Sequence, residues 1–132
     1  MGAAPEHVVG GGSAIAQNAL AHVGQAYVWG GVGPRGFDCS GFVYFTHRVS
    51  GHPVARGLWG QLNGGPRISR AELEPGDTVF FANTYRPGLS HAGIYIGGGR
   101  FIHASDPSTG VTISSLDSGY WSSRYVGASR LW

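Results

Sequence analysis

The chain has 132 residues, 42% of them hydrophobic, a net charge of +2 and a single cysteine. That length suits one compact domain with a real core, and one cysteine excludes an intramolecular disulfide, so packing alone must hold the fold. No apolar run approaches the ~18 residues of a membrane span, and the nine basic residues, all arginine, form no stripe of the kind duplex nucleic acid calls for.

In chain order, residues 1–12 come first. With Pro5 and then Gly10-Gly11-Gly12 they show no periodicity, and are expected to form a tail or linker ahead of a domain spanning 13–132. The opening MGAAPEHVVGGGS lacks the basic start and apolar middle of a signal peptide. The expectation is therefore either a domain of a longer exported protein or a different route of export. Ser13 suits an N-cap, and Ile15, Ala19, Leu20 and Val23 fall on one helical face that Gly24 ends. An extended piece and a Gly/Pro loop follow. CSGFVYFTHRV, Cys39–Val49, reads as a second helix burying Phe42, Val43, Phe45 and Val49, although its aromatic and β-branched content suits a strand as well.

Residues 50–76 read as loop, with one helical turn near Leu58–Leu62. After the turn signal Glu74-Pro75-Gly76-Asp77 the period changes to two. Strands are predicted at Thr78–Ala82, His91–Ile96, Arg100–Ala104, Val111–Ser114 and Arg124–Arg130. Helices first and antiparallel strands after indicate an α+β fold.

The lone thiol decides where to look for chemistry. A free cysteine can be a small buried hydrophobe or a nucleophile. Cys39 lies at a predicted helix N-terminus, where unpaired N–H groups and the helix dipole lower a thiol pKa. The same N–H groups can face a developing oxyanion. A nucleophile needs a base, and there are six histidines. His7 is in the tail, His22 and His47 lie near helix ends and are expected to be solvated, and His52 sits in a loop. His91 and His103 lie in SHAGIYIGGGRFIHA, which reads as a hairpin turning at Gly97-Gly98-Gly99. Pairing Ile94 with Ile102 and Ala92 with Ala104 buries one apolar face. His91, Gly93, Tyr95, Phe101 and His103 then share the other face, with the two histidines diagonal and within reach of each other. In this register His91 is the candidate base for Cys39, and His103 the group that orients it. One cysteine and two histidines leave zinc short of four protein ligands, so no metal is expected.

Five motifs in order now give a resemblance. Tyr27-Val28-Trp29-Gly30-Gly31, Phe37-Asp38-Cys39-Ser40-Gly41-Phe42, Leu73-Glu74-Pro75-Gly76-Asp77 with Val79-Phe80-Phe81, Ser90-His91-Ala92-Gly93-Ile94-Tyr95-Ile96-Gly97 and Phe101-Ile102-His103-Ala104 resemble those of the NlpC/P60 cell-wall cysteine peptidases. The resemblance covers roughly residues 13–132, with Thr78 where the family usually has Leu. It implies a papain-like fold with N-terminal helices packed on a central antiparallel sheet. It implies Cys39 as nucleophile, His91 as base and His103 as orienting residue, with the Tyr27 hydroxyl and the Cys39 N–H holding the oxyanion. Asp38 and Ser40 are implied to grip the free amine of a stem peptide, and Ser90 is placed with them among the substrate-binding residues. Trp29 is expected in the core; Arg56 and Gln61 fall in a loop region that often lines the family's groove.

The implied reaction is hydrolysis of peptidoglycan stem peptides, most often at the γ-D-glutamyl–diamino acid bond, without metal or organic cofactor. Alternatives with the same site are an N-acetylmuramoyl-L-alanine amidase or a cross-bridge endopeptidase, and in another class a non-catalytic wall-binding module. Action outside the cytoplasmic membrane, in the periplasm or at the wall, is implied, with a monomer as the default state.

Overall fold

The computed structural model describes residues 11–33 and 35–132. Residues 1–10 of the expected tail thus lie outside the described residues. Helix α1 spans Gly12–Leu20, starts one residue before Ser13, and has Gly11 at its N-cap with no side-chain cap. It buries Ala14, Ile15, Ala16 and Ala19, whereas Leu20 and Val23 are exposed. Of the predicted apolar face, Ile15 and Ala19 are buried as expected, Leu20 points outward, and Val23 lies beyond the helix end.

Helix α2, Cys39–Val49, keeps its predicted bounds. Phe42 and Val43 are fully buried and Phe45 packs against the core, but Val49 is 45% exposed. Thr46 and His47 take the inner position instead. Both bond within the helix: Thr46 Oγ1 donates to Phe42 O at 2.9 Å, and His47 Nδ1 lies 2.9 Å from Val43 O, while His47 Nε2 is buried without a partner. His47 is therefore buried, not solvated. A short helix α3, Leu58–Leu62, follows.

Six strands form one antiparallel sheet: β1 Arg67–Ile68, β2 Thr78–Ala82, β3 Leu89–Gly97, β4 Arg100–Ala104, β5 Val111–Ser115 and β6 Tyr125–Ser129. Their spatial order is β1-β6-β2-β3-β4-β5. Between β5 and β6 lies a four-residue helix α4, Gly119–Ser122. Neither β1 nor α4 was predicted; both are too short to carry a period. At the β3–β4 turn Gly97, Gly98 and Gly99 all have positive φ (96°, 62° and 75°). Only glycine takes three such residues in succession without strain.

Alternation along β2–β4 splits the interior in two. Phe80, Ala92, Ile94, Ile102 and Ala104 pack with Ile15, Phe37, Phe42 and Val43 of the helical layer. Val79, Phe81, Phe101, Leu116 and Ala128 form a second cluster, against which Trp121 and Tyr125 pack. The α+β expectation, helices on a central antiparallel sheet, is met. Asp77 locks the closing segment to the sheet: it is fully buried and receives Arg130 Nε at 2.8 Å and Nη2 at 2.9 Å.

Candidate active site

The histidine side of the candidate site follows from register. Ile94 pairs with Ile102 and Tyr95 with Phe101, as the hairpin pattern predicts. His91 Nε2 meets His103 Nδ1 at 2.7 Å, with both rings buried. Gly93 makes this approach possible. A Cβ there would lie 2.7 Å from Phe101 Cδ2 and 3.0 Å from His103 Cβ. His103 Nε2 is in turn 2.9 Å from the Ser114 hydroxyl on β5. One tautomer set closes the chain: His91 Nε2–H donates to His103 Nδ1, and His103 Nε2–H donates to Ser114 Oγ. His91 Nδ1 is then left with a bare lone pair. Trp121 stacks on the His91 ring at 5.1 Å and 26°, and meets His103 edge-on at 5.0 Å. Phe81 and Phe101 complete this aromatic enclosure.

The nucleophile side is a loop and a helix start. Asp38 caps α2, its Oδ1 accepting from Gly41 N at 2.7 Å, as an N-cap aspartate should. Cys39 is the first helical residue. Its thiol is 3.8 Å from the carbonyl oxygen of Ser90, next to His91 on β3. That contact exists because β3 is irregular there. Phe81 pairs with His91 but Ala82 pairs with Leu89, which leaves Ser90 as the extra residue of a bulge. Bulges re-aim side chains in this way beside active sites.

Burial sets the protonation of both groups. It pushes the Cys39 thiol up to about 11; the Asp38 carboxylate adds to this, and the N–H groups of Ala92, Ser40 and Cys39 oppose it. Burial pulls His91 down to about 4, opposed by the charge of Asp106. His103 is lowered by burial and by its neighbour His91. The helix start was expected to depress the thiol pKa. Here desolvation outweighs it, and burial favours the neutral thiol and the neutral imidazole.

The other predicted residues fall as follows. Tyr27 is half-buried against the core, and its hydroxyl is held protonated by burial first, then by the neighbouring Cys39 and Asp38. Asp38 and Ser40 flank the thiol, but a guanidinium already bridges them: Arg56 Nη2 donates to Asp38 Oδ2 at 2.9 Å and Nη1 to Ser40 Oγ at 2.8 Å. Asp38 Oδ2 also accepts from Gly30 N. In this arrangement the two residues hold an arginine of the chain itself, not an open amine site. Gln61 is buried, its amide donating to Ser40 O and Ala55 O, so it braces α2; it also borders a cavity with Pro53, Val54 and Leu131, whose walls include neither Cys39 nor His91. Ser90 is buried, and its hydroxyl is taken by Thr84 N at 3.0 Å and Thr84 Oγ1 at 2.6 Å. Its hydroxyl therefore braces the β2–β3 connection, and a substrate-binding role for that group does not fit. Trp29, expected in the core, is 72% exposed and meets Tyr85 edge-on at 5.6 Å. Among the described residues no group of three or more His, Cys, Asp or Glu could hold a metal ion.

Sequence reasoning missed Trp121, Tyr85, Ser114 and Asp106. Extending the strand register from β4 to β5, where Phe101 pairs with Ser114, would have found Ser114. The profile of the NlpC/P60 family matches residues 24–130.

The chain belongs to the NlpC/P60 family.

Its curated relatives include a Gamma-DL-glutamyl hydrolase of Bacillus subtilis (strain 168), 45% identical over 118 residues, which covers 88% of this chain and 28% of the relative. The probable peptidoglycan endopeptidase LytE of the same organism is 45% identical over 121 residues, 89% of this chain and 34% of the relative. This NlpC/P60 chain thus spans about a third of the length of these relatives. Among solved structures, the NlpC/p60 domain of the peptidoglycan hydrolase SagA matches at TM-score 0.76 and 35% identity, covering 89% of this chain and 97% of that one.

Proposed function

We propose that this chain is a cysteine endopeptidase domain that hydrolyses peptidoglycan stem peptides at the γ-D-glutamyl–diamino acid bond. The observation that carries the reading is the juxtaposition of Cys39 and the His91–His103 pair. The thiol touches the strand position next to His91, whose Nε2 is committed to His103, so that Nδ1 is the nitrogen free to serve the sulfur. The names of the relatives support the bond: a Gamma-DL-glutamyl hydrolase, a probable peptidoglycan endopeptidase and a muramidase/DL-endopeptidase.

From a neutral resting pair, the chemistry runs by general base catalysis. As Sγ attacks the scissile carbonyl, its proton passes to His91 Nδ1 and a tetrahedral oxyanion forms. The backbone N–H of Cys39 and the Tyr27 hydroxyl hold that oxyanion; Tyr27 is suited to this because its proton is firmly retained. Collapse breaks the C–N bond while His91 Nδ1–H protonates the leaving amine. Water then adds to the thioester, giving a proton to His91, and the acid leaves as Sγ regains its hydrogen. His103 steadies the imidazolium through its Nδ1, braced by Ser114.

Such a substrate lies outside the cytoplasmic membrane, and action at the wall follows from the reading; among the described residues no helix is long and apolar enough to cross a membrane. The test is mass spectrometry of muropeptides after incubation with purified peptidoglycan, with Cys39→Ala alongside. New products ending in D-glutamate, absent with the variant, are expected. Products cut at another bond, or equal products from both proteins, would overturn the assignment.

A further inference from the structure

A cavity of about 220 Å³ opens beside the base, lined by Thr84, Tyr85, His91, Ser105, Asp106, Tyr120 and Trp121. It has room for one side chain and is smaller than the ~300–1,000 Å³ sites that take whole ligands. Cys39, Tyr27 and Asp38 are not among its walls, although its wall Tyr85 meets Trp29 of the nucleophile's loop edge-on. In the proposed reaction His91 protonates the leaving amine. A cavity walled by that same histidine is placed to receive the residue bearing the amine.

The walls have one formal charge. Asp106 Oδ1 is occupied by Ser108 N, Ser108 Oγ and Thr109 N, at 2.9, 2.7 and 2.9 Å. Those bonds fix the carboxylate and hold it ionised: its pKa is lowered, chiefly by the Ser108 hydroxyl. The remaining walls are the rings of Tyr85, Tyr120 and Trp121 and the hydroxyls of Thr84 and Ser105, surfaces that favour a cation. The nearby arginines are engaged elsewhere. Arg124 lies flat on Tyr120 at 3.8 Å and donates to Asn83 O, Tyr120 O and Ser123 Oγ. Arg86 stacks on Tyr85 and donates to Leu89 O.

We propose that this cavity is the subsite for the leaving residue, and that Asp106 selects there for an amino acid with a side-chain ammonium over one with a side-chain carboxylate. The proposal rests on the γ-D-glutamyl endopeptidase reading and sharpens it. It distinguishes this chain from an enzyme that cuts between successive glutamates, where the leaving residue is anionic.

The test uses three synthetic substrates, L-Ala-γ-D-Glu-X, with X as L-lysine, L-norleucine or L-glutamate, and compares kcat/KM for the wild type and Asp106→Asn. Asparagine keeps an Oδ1 acceptor for the turn and removes the charge. For the wild type, lysine is expected to exceed norleucine by about tenfold, the scale of one partly desolvated ion pair with aromatic support, and glutamate to rank last. In Asp106→Asn the lysine-to-norleucine ratio should fall to about 1–2. The wild-type ratio should also shrink as salt is raised. Each ratio is taken within one protein preparation, so incomplete folding cancels. A ratio unchanged by the substitution, or a wild type that prefers glutamate, would overturn the subsite while leaving the endopeptidase reading intact. Cleavage of none of the three by the wild type would overturn both.

Discussion

The histidine pair is held by strand register, whereas the thiol is held by close backbone approaches that only glycine permits. On the sheet side, His91 and His103 are fixed by strand pairing, the Ser114 bond and the Trp121 stack. On the loop side, Phe37 N bonds Ala26 O, Val28 N bonds Phe37 O and Asp38 N bonds Gly31 O, with no strand behind them. A Cβ on Gly41 would overlap the Gly31 carbonyl oxygen, and one on Gly36 the Val28 side chain. The histidines thus have several redundant supports, and the thiol has a few that cannot be replaced. The two groups are matched electrically all the same: in both, burial favours the neutral form.

Removing the base should give the largest effect. His91→Ala is expected to lower kcat/KM by about 10³-fold, roughly 4 kcal/mol of transition-state stabilisation. A loss under tenfold would mean that the sheet side is scaffold and not chemistry. Next is acid lability. His91 and His47 are both drawn down to about 4 by burial, against about 6.5 in an unfolded chain. Below pH 6.5 the unfolded chain takes up protons that the folded one refuses. Stability is therefore complete above pH 6.5 and lost progressively down to about pH 4, by on the order of 2 kcal/mol per histidine at pH 5. Thermal unfolding across pH 4–8 reads this directly. His103→Gln, which removes another lowered histidine, should flatten the slope. A Tm that is constant from pH 7 to pH 5 would show that the histidines charge within the fold.

The contrast between the two sides also explains what could be read in advance. Residues 91–104 alternate so regularly that only one register buries Ile94, Ile102, Ala92 and Ala104 together, and the histidine pair follows from it. The bounds of α2 were legible from Asp38 and the apolar run. Its buried arc was not. His47 replaces Val49 inside with its Nδ1 bonded to the Val43 carbonyl, and no count of apolar residues finds a polar one held by its own helix. The Arg56 bridge joins residues 16 and 18 positions apart through a loop, and Trp121 reaches His91 from a four-residue helix. Contacts of this kind have no period to detect. The depressed thiol pKa expected at a helix start did not follow either: dipole and N–H effects are local, but desolvation depends on everything packed above the sulfur.

A matched pair of glycine substitutions separates the two kinds of support. Gly41→Ala drives a methyl group into backbone that cannot yield, and should cost about 3 kcal/mol. Gly93→Ala meets mainly the Phe101 ring edge and the His103 Cβ, which shift together, and should cost about 1–2 kcal/mol. Chemical denaturation with a constant m-value measures both. Equal costs would mean that the sheet is as intolerant as the loop.

The smallest effect should come from Asp38→Asn, and it is the most informative about the thiol. The amide oxygen can still cap Gly41 N, so helix α2 should persist. The ion pair with Arg56, whose side chain is 40% exposed, is worth at most ~1 kcal/mol. Along with the Oδ2 acceptor for Gly30 N and Arg56, what is removed is a negative charge that, after burial, is the next cause raising the thiol. In the wild type, iodoacetamide alkylation of Cys39 should rise by about tenfold per pH unit from pH 7 to pH 10, because only the thiolate reacts. In Asp38→Asn the same line should run about threefold higher at each pH, the scale of one charge screened by a partly solvated site. A wild-type rate already level at pH 7 would mean that His91 ionises the thiol before substrate arrives. The neutral resting pair would then give way to an ion pair, and the burial of the two groups would no longer set the order in which the proton and the sulfur move.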